Sequence, residues 1–251
     1  MRAPSLTLVA LLFFGSSDAV TRTVMVHDRP QTVRLYGARG GPTAIVSSGD
    51  GGWIHLAPHV AELLAARGWF VVGFDSRAYL SSVTEGTRSL SVSDVPRDYE
   101  ALVSFAGRTA SKPILVGISE GAGLSAAAAT DPALKRSIDG VVAIGLGDNN
   151  ELAWRARDAI IYLTKGVPKE PLFHAIDVVG NVAPVPIAML RSTGDEFVTR
   201  PESDRLIQAA REPKASWTIP AGNHRFSNNL KEFDAQLIDA IAWIVSAPRS
   251  R

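Results

Sequence analysis

The 251-residue chain contains no cysteine. That absence excludes disulfides, a cysteine nucleophile, thiolate metal sites and a lipid anchor carried on a cysteine. Charge of one sign is lacking too: 26 Lys and Arg stand against 25 Asp and Glu, a net +1. Such a balance gives no basic footprint, so nucleic acid is not an expected partner. Beyond the N-terminus no apolar run approaches the ~20 residues a membrane helix needs. Repeat periods and low-complexity stretches are also missing from the sequence, which argues against a solenoid or a disordered chain. What is there is 46% hydrophobic, with 21 glycines and 15 prolines. This is the composition of one globular domain long enough to bury a sizeable core.

The first 19 residues read differently from the rest. Arg2 is a short positive region, Leu6 to Phe14 an apolar run, and Ser17-Asp18-Ala19 a small-x-small cleavage site. Together they predict a secretory signal over residues 1–19, leaving 20–251 as the mature domain. The expected location is outside the cytoplasm, which in a Gram-negative host is the periplasm.

After the signal, Thr23 to His27 and Thr32 to Tyr36 alternate apolar with polar residues and predict an antiparallel hairpin. Short continuous apolar runs follow, each with a longer helical pattern after it: 43–46, 70–74, 114–118, 141–144, 187–190 and 216–219. Continuous apolar strands alternating with helices describe a mostly parallel sheet covered on both faces, an α/β fold. The predicted helices run over Ala57 to Ala66, Asp94 to Phe105 with Ser93 as cap, Gly121 to Thr130, and Leu230 to Val245. Residues 149–184 break the rhythm, with a helical piece from Trp154 to Leu163 and no clear strand. They read as a small cap inserted between two strands.

The strongest local signal is Gly117-Ile118-Ser119-Glu120-Gly121, a G-x-S-x-G between an apolar strand and a helix. A serine at such an elbow sits on a sharp, strained turn, which requires small flanking residues and exposes the hydroxyl at the end of the sheet. A serine nucleophile needs a base, and the base an orienting acid; in this context the chain order is Ser, Asp, His. Asp195 follows the run 187–190, and His224 follows the run 216–219. Glu196 is a rival to Asp195 as the orienter, and Asp195 can instead cap the helix that begins near Pro201. The other histidines, His27, His55, His59 and His174, read as structural. An oxyanion hole would use the Glu120 amide and amides of Ser48-Gly49-Asp50-Gly51-Gly52-Trp53, most plausibly Asp50 or Gly51. The mechanism these residues support is a two-step acyl transfer, with no metal or organic cofactor.

Gly49-Asp50-Gly51-Gly52-Trp53 resembles the corresponding turn of the AcvB/VirJ family of bacterial virulence-associated periplasmic proteins. Val71-Val72-Gly73-Phe74-Asp75-Ser76-Arg77-Ala78-Tyr79-Leu80, Asp195-Glu196-Phe197-Val198 and Gly222-Asn223-His224-Arg225-Phe226 are similar to that family too. The sequence departs from it where Glu120 follows the serine and Gly123 stands in place of an acid. The resemblance implies an α/β-hydrolase fold and hydrolysis of aminoacylated phosphatidylglycerol, chiefly the lysyl ester. It also implies peripheral contact with a membrane phospholipid headgroup and a link to type IV secretion. Asp50, Glu120, Asp148 and Glu151 would offer acidic partners to a lysyl ammonium, and Trp53, Trp154 and Tyr162 an apolar rim. A general carboxylesterase of the dienelactone-hydrolase kind and a non-catalytic accessory of a secretion system are the alternatives.

Overall fold

The computed structural model describes residues 19–107, 111–156 and 170–247. Strands β1 (Val20–Val26) and β2 (Arg29–Tyr36) pair antiparallel with Val26 opposite Arg29. Their two-residue turn holds His27 and Asp28 at φ 53 and 55, the left-handed pair that matches strand twist in a tight hairpin. Each strand is longer than its alternating stretch, because the ladder continues where side chains on both faces are exposed.

Six further strands complete the sheet: β3 (Thr43–Ser47), β4 (Phe70–Phe74), β5 (Ile114–Ile118), β6 (Gly140–Ile144), β9 (Ile187–Ser192) and β10 (Lys214–Ile219). Among the described residues the sheet has eight strands, ordered β1-β2-β4-β3-β5-β6-β9-β10. It is parallel from β4 to β10, and β2 joins β4 antiparallel. Every residue of β3, β4, β5 and β6 is buried, which is why these strands read as unbroken apolar runs rather than as alternation.

Two helices cover one face, α1 (Leu56–Ala65) and α8 (Leu230–Ser246); Val60, Leu64, Phe233, Leu237 and Ile244 pack there on Val46, Val116 and Leu190. The other face is covered by α2 (Ser76–Val83), α3 (Val95–Ala106) and α4 (Glu120–Ala128), with Tyr79, Tyr99, Leu102 and Leu124 on Ile45, Val72 and Leu115. Helix α4 is buried on every side; its alanines and glycines let it lie close against β5 and β6. Two further helices, α5 (Pro132–Lys135) and α7 (Arg200–Ala209), add Leu134 and Leu206 to this second layer.

The sequence pattern gave no sign of α2. Its serines dilute the apolar stripe, yet Asp75 caps it by accepting the Ala78 amide at 3.0 Å, and Tyr79, Leu80 and Val83 anchor it. Ser93 is not the cap of α3: that position is Asp94, while the Ser93 hydroxyl pairs with that of Ser91 at 2.8 Å. Within 149–184 a two-stranded ribbon pairs β7 (Asn149–Glu151) with β8 (Leu172–His174), followed by α6 (Ala175–Val178) and a 3-10 turn. Three-residue strands as polar as Asn-Asn-Glu carry no periodicity to read. The helical piece expected from Trp154 falls, from residue 157 on, outside the described residues, as does Tyr162, and so do residues 1–18 of the expected signal. No helix among the described residues is long and apolar enough to cross a membrane.

Candidate active site

At the carboxyl ends of β3, β5, β6, β9 and β10 the loops enclose a cleft of about 420 Å³. Ser119 lies on its floor, in the single residue between β5 and α4. Its backbone is held at φ 52 and ψ −117, a region that costs a non-glycine residue about 1–3 kcal/mol. The surroundings leave it no alternative. A Cβ on Gly117 would meet the Gly121 carbonyl oxygen at 2.2 Å, and one on Gly121 would meet that of Ser47 at 2.4 Å. The strand, the elbow and the first turn of α4 therefore approach to a distance that only glycine permits. The Ser119 amide donates to the Ile144 carbonyl at 2.8 Å, which fixes the turn on β6.

Two loops deliver the other predicted residues. The loop after β9 is tied to the loop after β10 by the Gly194 amide, which donates to Ala221 O at 2.8 Å, and by the Ser192 hydroxyl, which donates to the same oxygen. This seam brings Asp195 Oδ2 to 2.7 Å from His224 Nδ1. The Asp195 side chain is 2% exposed, the His224 ring 12%. Asp195 Oδ1 accepts the Phe197 and Val198 amides at 2.9 and 2.8 Å. Burial alone would raise this carboxyl, but the hydrogen bond and charge of His224 and the two amides outweigh it and hold it below its ordinary value. The rival roles resolve as well: Thr199 caps α7, and Glu196 takes the His224 backbone amide at 2.7 Å instead of its ring. Behind the imidazole stands Gly145, whose added Cβ would sit 2.7 Å from His224 Cε1. Phe197 meets the ring edge-on at 5.5 Å between centroids.

Ser119 and His224 thus line one cleft. Their side chains are not directly hydrogen-bonded among the described residues; in unliganded sites such bonds commonly close only around substrate.

The glycine loop forms the facing wall. Gly52 N donates to Gly49 O and Trp53 N to Asp75 Oδ2, while the Asp50 and Gly51 amides have no acceptor among the described residues. A Cβ on Gly49 would stand 3.2 Å from that of Ser119, so this loop lies directly against the serine.

Acidic groups enter from two sides. Asp50, Glu120 and Glu151 line the cleft, and Glu120 Oε1 accepts the Glu151 amide at 2.9 Å. Burial raises the Glu120 carboxyl well above the ordinary range; the charges of Glu151 and Asp50 push the same way, against the Glu151 amide. Asp148, expected among these acids, is not in the cleft: its carboxylate takes the Ile176 amide at 2.9 Å and faces His174. Trp53 is also turned away. Its indole lies on β4, where a Cβ at Gly73 would come within 2.3 Å of it, and its N–H donates to the Tyr36 hydroxyl. It belongs to the packing of the loop, not to the rim.

Several lining residues were not singled out in the sequence. His55, read as structural from the sequence, lines the cleft at φ 55 and ψ −112 before α1, as do Ile54, Phe197 and Arg77. No local pattern marks them, because the sheet order brings them there. Gly123 also has its explanation. A Cβ there would fall 1.8 Å from Asn150 Oδ1, so Asn150 fills the space an acidic side chain would need.

Several solved structures share this fold. Est1E from Butyrivibrio proteoclasticus superposes with a TM-score of 0.66 at 14% identity, over 92% of this chain and 100% of that one. A membrane phospholipase A described as a bacterial virulence factor gives 0.66 at 12% identity, over 92% and 88%. Naproxen esterase (carboxylesterase NP) from Bacillus subtilis gives 0.65 at 10% identity, over 89% and 91%. At these identities the likeness establishes the fold alone, that of the α/β-hydrolases. No curated protein sequence matches the chain. The family model of the bacterial virulence protein VirJ, however, matches residues 42–243. The match spans the glycine loop, the serine elbow and both loops that carry Asp195 and His224, and the chain belongs to the VirJ family of bacterial virulence proteins.

Proposed function

We propose that this chain is an exported serine hydrolase that cleaves carboxylic esters, with an aminoacyl ester of phosphatidylglycerol, chiefly lysyl, as its substrate. The observation that carries the reading is the Asp195–His224 pair at 2.7 Å in the same cleft as a strained Ser119. In this reading Asp195 holds the His224 imidazole in the tautomer that leaves Nε2 free to take the serine proton.

 The hydroxyl attacks the ester carbonyl, and the tetrahedral oxyanion is received by the Glu120 amide and the Asp50 and Gly51 amides. His224 then returns its proton to the leaving alcohol, and water resolves the acyl-enzyme by the same route.

The acyl group is read by charge. Asp50, Glu120 and Glu151 line the same cleft as the serine, and an ammonium brought against Glu120 favours its ionised form over the neutral form that burial favours. The family resemblance supports the lipid and the periplasm; the exposed Ile54 and Phe197 at the cleft suit a headgroup presented at a membrane surface. A second reading, a general carboxylesterase acting on small esters, draws on the names of this chain's neighbours in fold, such as naproxen esterase.

Two experiments decide. A fluorophosphonate probe is expected to label the purified protein at Ser119 and to leave Ser119→Ala unlabelled; an unlabelled wild type that Ser119→Ala replaces fully in cells would end the enzymatic reading in favour of a binding role. Lipids extracted from a strain lacking the gene are expected to accumulate lysyl-phosphatidylglycerol, reversed by wild type and not by Ser119→Ala. Unchanged lipids together with probe labelling point to the small-ester reading.

A further inference from the structure

Arg77 is a charged cleft residue that the acyl-transfer reading leaves unused. It lies in the first turn of α2, just past the carboxyl end of β4, and its guanidinium packs over the Trp154 ring at 5.2 Å from the centroid. On its other side is the glycine loop: a Cβ on Gly52 would stand 3.2 Å from Arg77 Nε. The guanidinium is therefore sandwiched and oriented, and it lines the cleft. It has no carboxylate partner among the described residues. The nearest acid in sequence, Asp75, directs Oδ1 to the Ala78 amide and Oδ2 to the Trp53 amide. An exposed guanidinium stacked on an indole, with no hydrogen bond to any described residue, is placed to receive an oxyanion.

The strand order places this receptor relative to the serine. Arg77 follows β4, the glycine loop follows β3 and Ser119 follows β5, and these strands are adjacent in that order. Two strand spacings amount to about 10 Å. A three-carbon alcohol esterified at one end and bearing a phosphodiester at the other spans most of that gap, and the arginine side chain covers the remainder.

We infer that Arg77 recognises an anion on the alcohol side of the substrate, a phosphodiester, so that the cleft reads both ends of the ester by charge. The inference rests on the ester-hydrolase reading and adds to it a residue that sets alcohol specificity. A carboxylate offers the same oxyanion chemistry, and the test separates the two.

The test compares three esters that share one lysyl acyl group: a glycerophosphoglycerol ester, an ester of a hydroxy acid with a free carboxylate, and a neutral glycerol ester. Arg77→Ala is expected to lower kcat/KM on the phosphodiester at least about tenfold more than on the neutral ester, with the loss in KM rather than kcat. Arg77→Lys, which keeps the charge and loses the fork, is expected to recover part of that difference. Equal losses on all three esters, or a selective loss on the carboxylate ester alone, would overturn the proposal. Should the wild type hydrolyse none of the esters, the ester-hydrolase reading fails, and calorimetric titration with glycerophosphoglycerol decides the anion site by itself. Binding by wild type that is weakened in Arg77→Ala supports the site; no binding, or equal binding by both proteins, overturns it.

Discussion

At the scale of single residues, the carboxylate at position 195 has two separable jobs. Oδ1 shapes its own loop through the Phe197 and Val198 amides, and Oδ2 faces the His224 ring. Asp195→Asn keeps the first and reverses the polarity of the second, favouring the tautomer with the proton on the wrong nitrogen. A loss of roughly 10⁴ in kcat is expected, with the fold intact; turnover within tenfold of wild type would mean that another acid orients the ring. Glu120 makes a different prediction. Because the folded chain holds the Glu120 proton more tightly than the unfolded chain does, its contribution to stability is complete at acid pH and is lost as pH rises from the ordinary carboxyl value toward the raised one. Within that window the loss is about 1.4 kcal/mol per pH unit. Glu120→Gln has no proton to lose, so its stability relative to wild type is expected to climb from pH 5 to pH 8 in urea unfolding. A gap that stays constant with pH would contradict this. Ser119, Asp195 and His224 were legible as a candidate site because each lies within a few residues of the carboxyl end of a strand. Arg77 and His55 were not, since what makes them cleft residues is the order of strands in space. Trp53 and Asp148 misled for a related reason: a loop position predicts proximity to the rim, but not the direction in which the side chain turns.

At the scale of elements, the central parallel strands β3 to β6 were legible because burial on both faces keeps their interiors apolar. Helix α2 and the β7–β8 ribbon were not, since each is held by tertiary contacts rather than by its own pattern: α2 by an aspartate cap and three buried side chains, the ribbon by pairing across twenty residues. The elbow between β5 and α4 shows how tightly such an element can be specified. Its approach to β3 is set by carbonyl oxygens, which are backbone and cannot swing aside as a side chain would. Gly121→Ala places a methyl group 2.4 Å from Ser47 O, so α4 must shift away from the sheet. The expected cost is about 1–3 kcal/mol, read as a lower urea midpoint, together with slower fluorophosphonate labelling of Ser119, because the shift moves the Glu120 amide and the hydroxyl together. Wild-type stability and labelling in this variant would mean that the elbow has slack which the described contacts deny.

At the scale of the whole molecule, the sheet separates two apolar layers among the described residues, and its strands serve both. Along β5, Leu115 belongs to the layer under α3 and α4, while Ile114 and Val116 belong to the layer under α1 and α8. Loss of either layer exposes one face of the same strands, so neither can unfold while the other persists, and a single cooperative transition is expected. The layers are nonetheless separate as packing environments. Leu102 on α3 and Leu237 on α8 are both fully buried, on opposite sides of the sheet, and share no cluster. Leu102→Ala and Leu237→Ala are each expected to cost about 2–5 kcal/mol. Since stacked layers lie ~10 Å apart, the double variant should lose the sum of the two to within about 0.5 kcal/mol. Urea unfolding of the four proteins measures this directly, provided that the slope against denaturant stays the same across the set. A second transition in either single variant would mean that the layers unfold independently. A departure from additivity well beyond 0.5 kcal/mol would mean that strain passes through the sheet from one layer to the other, and that Ser119, which stands at the sheet's edge between them, feels the packing of both.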